Sequence, residues 1–192
     1  PKIGENCVET IKANSADMET LVSLVKFDTD VSKPVLWNKP DSDLHPISEK
    51  DYVPRGMTAL NDAIATTISG LQKVNDKDDP LTSFLMIIIT DGEENNSKEY
   101  PGRYNKEIKK MITEVQNTNR WTVTFMGANQ NIDEVSKNLN IDRGNAIGFA
   151  ANSAGMKKAS LTVTKGLTSY YSSRRSGETS IKSFYDNGSD NK

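Results

Sequence analysis

The sequence is poor in the residue types from which cross-links, zinc sites and membrane spans are built. Its single cysteine, Cys7, excludes a disulfide within the chain and a metal site made of several cysteines. Its single histidine, His45, excludes a zinc site rich in histidine. No apolar run approaches the ~20 residues that span a bilayer, and the first ten residues contain no apolar signal-peptide core. We therefore expect no membrane partner.

The chain also has no excess of charge of one sign, because 24 Lys and Arg residues face 26 Asp and Glu residues. The net charge of −2 gives no attraction to nucleic acid or to an anionic surface, so nucleic acid is not an expected partner. The sequence contains no G-x-G-x-x-G and no P-loop. This absence disfavours a nucleotide-binding Rossmann enzyme.

Segments typical of strands and helices alternate along the chain. The predicted strands are residues 21–28, 33–40, 83–90, 121–127 and 145–151, and the predicted helices lie near 3–11, 60–71, 108–115, 131–141 and 153–173. This order predicts an α/β fold with a doubly wound, mostly parallel central sheet, helices on both faces and one antiparallel edge strand at 33–40. We expect one domain over residues 1–173 and a polar, disordered tail over 174–192.

The most chemically loaded stretch is "FLMIIITDGEENNS", residues 84–97. Its continuous apolar run is typical of a strand buried on both faces. Ligands of such sheets lie at the carboxyl ends of the strands, which is where Asp91 follows. We expect Glu93 and Glu94 to lie around the site without serving as ligands. They either sit in a helix lead-in favoured by the helix dipole or form an acidic rim that concentrates cations.

Thr58 and Asp91 form the candidate binding pair, because each lies in a turn that precedes a predicted helix. A hydroxyl and a carboxylate oxygen are hard ligands, suited to Mg²⁺, Mn²⁺ or Ca²⁺. Two protein ligands are too few for the six oxygens of Mg²⁺, although this ion commonly keeps several waters. The alternative is structural: Thr58 caps the helix that follows, and Asp91 forms an Asx turn at Gly92.

Two motifs together carry a resemblance to a known family. "GMTALNDAI" and "LMIIITDGEEN", supported by "FDTD" and "FMGANQNIDEVSKNLNI", resemble a von Willebrand factor A domain, of the small stand-alone type found in bacteria and their phages. The similarity runs from about residue 3 to about residue 175. It implies a protein-binding module rather than an enzyme, located in the cytoplasm or in a phage particle.

The resemblance also implies a metal-ion-dependent adhesion site. Thr58 and Asp91 match its threonine and aspartate ligands, Asp91 acting through water in the bound form, and Gly56 and Gly92 match the neighbouring turn glycines. The implied cofactor is Mg²⁺, or Mn²⁺ or Ca²⁺ in its place. The implied partner is a protein whose Asp or Glu side chain completes the coordination of the metal.

One motif of the family has no counterpart in these residues. This motif, Asp-x-Ser-x-Ser, follows the first strand of the family's central sheet. Asp28, Asp30 and Ser32 have a similar spacing but follow a later strand, so Asp28 is expected to be near the site and not a ligand. We expect the missing strand to lie before Pro1 or to come from elsewhere. Thr58 and Asp91 alone are expected to bind metal weakly or not at all.

Two rival functions remain open on the sequence alone. A metal-independent structural or assembly protein would use the same fold as an interaction platform, which the missing motif favours. A phosphotransferase of the haloacid-dehalogenase type would use Asp28 as nucleophile, Asp30 as acid or base and Thr90 to hold the phosphate, as "LVKFDTDVS" resembles the start of that family. The acidic loop and the lysine required by that family are not evident in the sequence.

Overall fold

The structure is a computed structural model that describes residues 2–45, 56–74 and 76–186. Its strands are β1 (Leu21–Leu24), β2 (Leu36–Pro40), β3 (Phe84–Thr90), β4 (Trp121–Ala128) and β5 (Ala146–Phe149). Its α-helices are α1 (Lys2–Asn14), α2 (Leu60–Leu71), α3 (Lys106–Gln116), α4 (Ile132–Leu139) and α5 (Ser153–Arg175). Among the described residues, no helix is long and apolar enough to cross a membrane.

A parallel sheet with the order β3-β4-β5 forms the centre of the fold. β3 and β4 pair in register from Phe84 opposite Trp121 to Thr90 opposite Gly127. Every residue of β4 is buried, as expected for a strand with a neighbour on each side and helices on both faces. β3, which carries the continuous apolar run at 84–89, is less completely buried, and its Ile89 is exposed.

Two apolar cores lie on opposite faces of this sheet. Met86 and Ile88 of β3 face the core formed with α2, α3 and α4. Leu85 and Ile87 face the second core, which includes residues of α1 and α5. Because side chains alternate between the faces of a strand, one apolar strand contributes to both cores. The predicted α/β, doubly wound fold is confirmed.

The antiparallel strand predicted over 33–40 is present as β2. β2 pairs with β1, from Leu21 opposite Pro40 to Leu24 opposite Leu36, and the two form a separate two-stranded sheet. Within the described part of the chain, no strand pairs with the second edge of β1 or the outer edge of β3. Among the described residues, β1 and β2 are therefore not joined to the central sheet by a strand.

Hydrogen bonds from α5 reach the starting ends of both β1 and β3, although no strand in the described ranges joins the two. Tyr170 and Ser83 are hydrogen-bonded through their hydroxyls at 2.8 Å, and the Tyr171 hydroxyl donates to Thr20 Oγ1 at 3.3 Å. Ser83 precedes β3 and Thr20 precedes β1. Two neighbouring residues of α5 therefore help to set the position of two separate sheets.

The prediction of a polar, disordered tail over residues 174–192 is wrong for the first part of that range. α5 continues to Arg175, and Phe184 and Tyr185 are buried in the second core. Phe184 packs so closely on Gly166 of α5 that a Cβ atom there would lie 2.3 Å from its ring. The average composition of residues 174–192 is polar, and this average concealed the two aromatic residues. Residues 187–192 lie outside the described part of the chain.

Candidate functional site

Three loops meet at the carboxyl ends of β1 and β3. The Ala59 backbone N–H, just before α2, donates to the Asp28 carbonyl of the loop after β1 at 2.7 Å. Asn96, in the loop after β3, donates from its side-chain Nδ2 to the Thr29 carbonyl at 2.5 Å. The residues singled out in the sequence therefore occupy one edge of the fold.

Thr58 and the turn after β3 are in direct contact. A Cβ atom built on Gly92 would lie 2.4 Å from Thr58 Oγ1, so only glycine fits this position without a shift. Asp91, the residue before Gly92, is exposed, whereas Thr58 is half-buried. The structure thus brings together the two regions that supply the predicted hydroxyl and carboxylate ligands.

Neither Thr58 nor Asp91 has the structural role that was the alternative to metal binding. The N-cap of α2 is Ala59, and α2 has no side-chain cap hydrogen bond from that residue. The turn after β3 is closed by Thr90, whose hydroxyl accepts from the Gly92 N–H at 3.1 Å and donates to the Gly92 carbonyl at 2.8 Å. This is a Ser/Thr turn rather than an Asx turn.

The Thr58 hydroxyl and the Asp91 carboxylate have no hydrogen-bond or ion-pair partner within the described residues. Gly92 itself is held from the other side, because Gln130 Nε2, in the loop after β4, donates to its carbonyl at 3.0 Å. The turn after β3 is therefore fixed, while the Thr58 hydroxyl and the Asp91 carboxylate stay available to bind a cation.

The backbone of Thr58 is held at both of its polar atoms. The Asn95 and Asn96 N–H groups donate to the Thr58 carbonyl at 3.0 and 3.2 Å. Asn95 Oδ1 accepts from the Thr58 N–H at 2.8 Å. The Asn95 side chain thus acts as an anchor across two loops, which the sequence pattern did not reveal.

The two glutamates next to Gly92 have different environments, although the sequence predicts one role for both. Glu93 is exposed and forms an ion pair with Arg103. Glu94 is only 7 % exposed. Its Oε1 accepts from the Asn96 and Ser97 N–H groups, and its Oε2 accepts from the Asn61 N–H and the Ser97 hydroxyl. Glu94 is therefore an internal anchor and not part of an acidic rim.

The start of α2 continues this network along the same loop. Asn61 Nδ2 donates to the Tyr100 and Gly102 carbonyls at 2.9 and 2.8 Å. The Asp62 carboxylate accepts from the Lys98 N–H at 2.7 Å and from the Tyr100 N–H at 3.0 Å. The loop from 94 to 102 is consequently bound to the first turn of α2 along its whole length.

The remaining sequence candidates lie around this contact. Gly56 has a φ of +93°, a backbone conformation that favours glycine. Asp28 Oδ1 accepts from the Asp30 N–H at 3.3 Å. Asp30 also forms an ion pair with Lys98.

The donor set fits a hard cation only in part. Thr58 and Asp91 could supply two oxygen ligands, whereas Mg²⁺ takes six. No group of three or more His, Cys, Asp or Glu side chains that could hold a metal occurs in the described ranges of the chain. Any further ligands would have to be water, a partner group or a segment outside these ranges.

Comparison of the chain with models of known protein families finds no match, and comparison with curated proteins finds none either.

Proposed function

We propose that this chain is a protein-binding module that resembles a von Willebrand factor A domain and holds an acidic partner side chain through a divalent cation. The observation that carries the proposal is the contact between Thr58 Oγ1 and Gly92, next to the Asp91 carboxylate. The Thr58 hydroxyl and the Asp91 carboxylate have no hydrogen-bond or ion-pair partner among the described residues. The resemblance would also place the protein in the cytoplasm or in a phage particle.

The chemistry of the proposed site follows from its ligands. A neutral hydroxyl and a single carboxylate neutralise little of the charge of a divalent cation such as Mg²⁺, Mn²⁺ or Ca²⁺. A carboxylate from a partner would then be attracted strongly to the ion. Thr58 would bind through its hydroxyl, and Asp91 would act through water once the partner is bound. With two ligands from this chain, metal affinity without a partner is expected to be low.

The test is calorimetric titration of the protein with Mg²⁺ and with Mn²⁺, repeated for Asp91→Ala and Thr58→Ala. Glu93→Gln is the matched control, because Glu93 lies in the same loop but is exposed and paired with Arg103. We expect weak but measurable binding in the wild type and in the control at high metal concentration, and its loss in the two site variants. Absence of binding in the wild type, or equal binding in Asp91→Ala, would refute the metal-dependent function.

A second candidate function is a metal-independent assembly platform. It is favoured by the two strand edges that lack a partner strand among the described residues, on β1 and on β3. Ile89 of β3 is 39 % exposed and Leu21 of β1 is 42 % exposed, which is unusual for apolar strand residues. An extended apolar segment of a partner protein would satisfy these backbone groups by adding a strand.

A soluble peptide with a run of apolar β-forming residues between lysines can probe this second function. Fluorescence anisotropy should detect binding to the wild type and much weaker binding to Ile89→Lys. Leu161→Lys is the matched control, because Leu161 is 60 % exposed and lies on α5. No binding by the wild type, or equal binding by Ile89→Lys, would contradict the platform.

A phosphotransferase has the least support of the three functions. Its phosphate-holding residue would be Thr90, but the Thr90 hydroxyl is engaged in the turn with Gly92. Its acid or base would be Asp30, which pairs with Lys98. We therefore expect no phosphatase activity with Mg²⁺. Activity that disappears in Asp28→Asn would overturn this expectation.

A further inference from the structure

Glu94 closes the start of a helix to which it does not belong. Helix α2 begins after Ala59, which has no side chain able to cap it. Glu94 Oε2 accepts from the Asn61 N–H at 2.8 Å, and Ser97 Oγ accepts from the Asp62 N–H at 3.0 Å. Both are N–H groups of the first turn that have no partner inside a helix. The loop after β3 therefore supplies the cap of α2.

The same loop also determines where Thr58 lies. Asn95, the next residue after Glu94, binds both the N–H and the carbonyl of Thr58. On its other side, Glu94 is two residues from Gly92, against which Thr58 Oγ1 packs. A movement of residue 94 would thus shift the anchor of Thr58 relative to the Asp91–Gly92 turn.

We infer that Glu94 is a positioning residue, whose buried carboxylate holds the Thr58 hydroxyl in place beside Asp91. This inference rests on the proposed metal-dependent function for its purpose, but its structural part can be tested separately. Four donors converge on the two oxygens of Glu94. A carboxylate can accept all four, whereas the amide of glutamine would direct its own N–H groups at some of them.

Asp62 provides a matched comparison for Glu94. Its carboxylate also joins α2 to the loop after β3, but it accepts from Lys98 and Tyr100, farther along the loop than the Thr58 contacts. A general loss of loop anchoring would affect Asp62→Asn and Glu94→Gln alike. A positioning role predicts a change at Thr58 in Glu94→Gln only.

The experiment measures amide hydrogen exchange at Thr58 and Mn²⁺ affinity by calorimetry in the wild type, Glu94→Gln and Asp62→Asn. We expect Thr58 to exchange clearly faster in Glu94→Gln, and Mn²⁺ affinity to fall about 10- to 100-fold, as for other residues that orient metal ligands. Asp62→Asn should leave both values close to those of the wild type. Unchanged exchange at Thr58 in Glu94→Gln would overturn the inference.

The two proposals fail in different ways. If the wild type binds no Mn²⁺, the metal-dependent function is lost, and exchange at Thr58 alone decides the role of Glu94. If Mn²⁺ binds equally well to the wild type and Glu94→Gln, the positioning role is lost and the function stands. Should Glu94→Gln not fold, Ser97→Ala removes one donor to Glu94. It must then give faster exchange at Thr58, and unchanged exchange would refute the inference.

Discussion

Thr58 Oγ1 occupies the space that a side chain on residue 92 would need, since a Cβ atom on Gly92 would lie 2.4 Å away from it. Gly92 is therefore required by a contact between loops rather than by the conformation of its own turn. This contact joins the turn after β3 to the start of α2. A larger residue at position 92 would push the two loops apart.

The variant Gly92→Ala should force Thr58 away from its place. We expect a loss of about 1–3 kcal/mol in the free energy of unfolding, typical of an overpacked site. Urea denaturation measures this loss. In a Thr58→Ala background the same change should cost much less, because the clashing hydroxyl is gone. Equal costs in both backgrounds would show that the two residues do not compete for the same space.

The variant Phe184→Ala should destabilise the protein strongly although it lies close to the end of the chain. Phe184 is only 1 % exposed and packs against α5. Removal of such a ring typically costs about 3–5 kcal/mol. The exposed residue Lys182 gives the control, because Lys182→Ala should stay within about 0.5 kcal/mol of the wild type. A similar small effect for Phe184→Ala would mean that the segment does not contribute to the core.

The hydroxyl pair of Tyr170 and Ser83 should contribute to the attachment of α5 at the start of β3. Tyr170→Phe leaves the Ser83 hydroxyl without this partner, so we expect a loss of about 1 kcal/mol. Thermal or urea unfolding of the two single variants and of the double variant with Ser83→Ala measures the coupling. Because both hydroxyls serve one bond, the double variant should lose less than the sum of the singles. Strict additivity would contradict this.

The stability of the protein should fall in mildly alkaline solution because of Cys7. Burial raises the pKa of the Cys7 thiol from 9.0 to about 11, while an exposed thiol of the unfolded chain titrates near ~8.5. The unfolded chain therefore loses its proton first, so stability is full below pH ~8.5 and declines as the pH rises towards 11. The expected loss is about 1 kcal/mol by pH ~9.5.

Urea unfolding of the wild type and Cys7→Ala between about pH 7.5 and 9.5 measures this loss. The upper end of this pH range lies below ~10, where tyrosine titrates in unfolded chains. At higher pH tyrosine would contribute as well, because burial also raises the pKa of Tyr170 and Tyr171. The difference in stability between wild type and variant should shrink as the pH rises. A constant difference would show that the thiol titrates alike in both states.

Much of the fold could be predicted because its signals are local. The continuous apolar run at 84–89 indicated a strand with two covered faces, and β3 contributes side chains to a core on each face, although Ile89 near its end is exposed. The strand predicted over 21–28 is shorter, ending at Leu24, with only an isolated bridge between Phe27 and Val31 beyond it. Strand length depends on a neighbour to pair with, and sequence periodicity does not report the neighbour.

Adjacent residues with the same chemistry show where prediction from the sequence stopped. Glu93 and Glu94 are indistinguishable in a pattern of charge, yet one lies on the surface and the other accepts four hydrogen bonds inside the fold. The difference arises because the N–H groups of Asn61 and Ser97 are brought to one of them only. Thr90 was likewise missed as the residue that closes the turn.

Local patterns were sufficient for the α/β class and the order of the main elements, because periodicity and turn residues act within a few residues of each other. Three other relations emerge only once the chain is folded: Thr58 packs against Gly92, Glu94 is an internal anchor, and β1 and β3 belong to separate sheets. These relations join residues far apart in the chain. They depend on packing and backbone pairing in three dimensions, which no local pattern encodes.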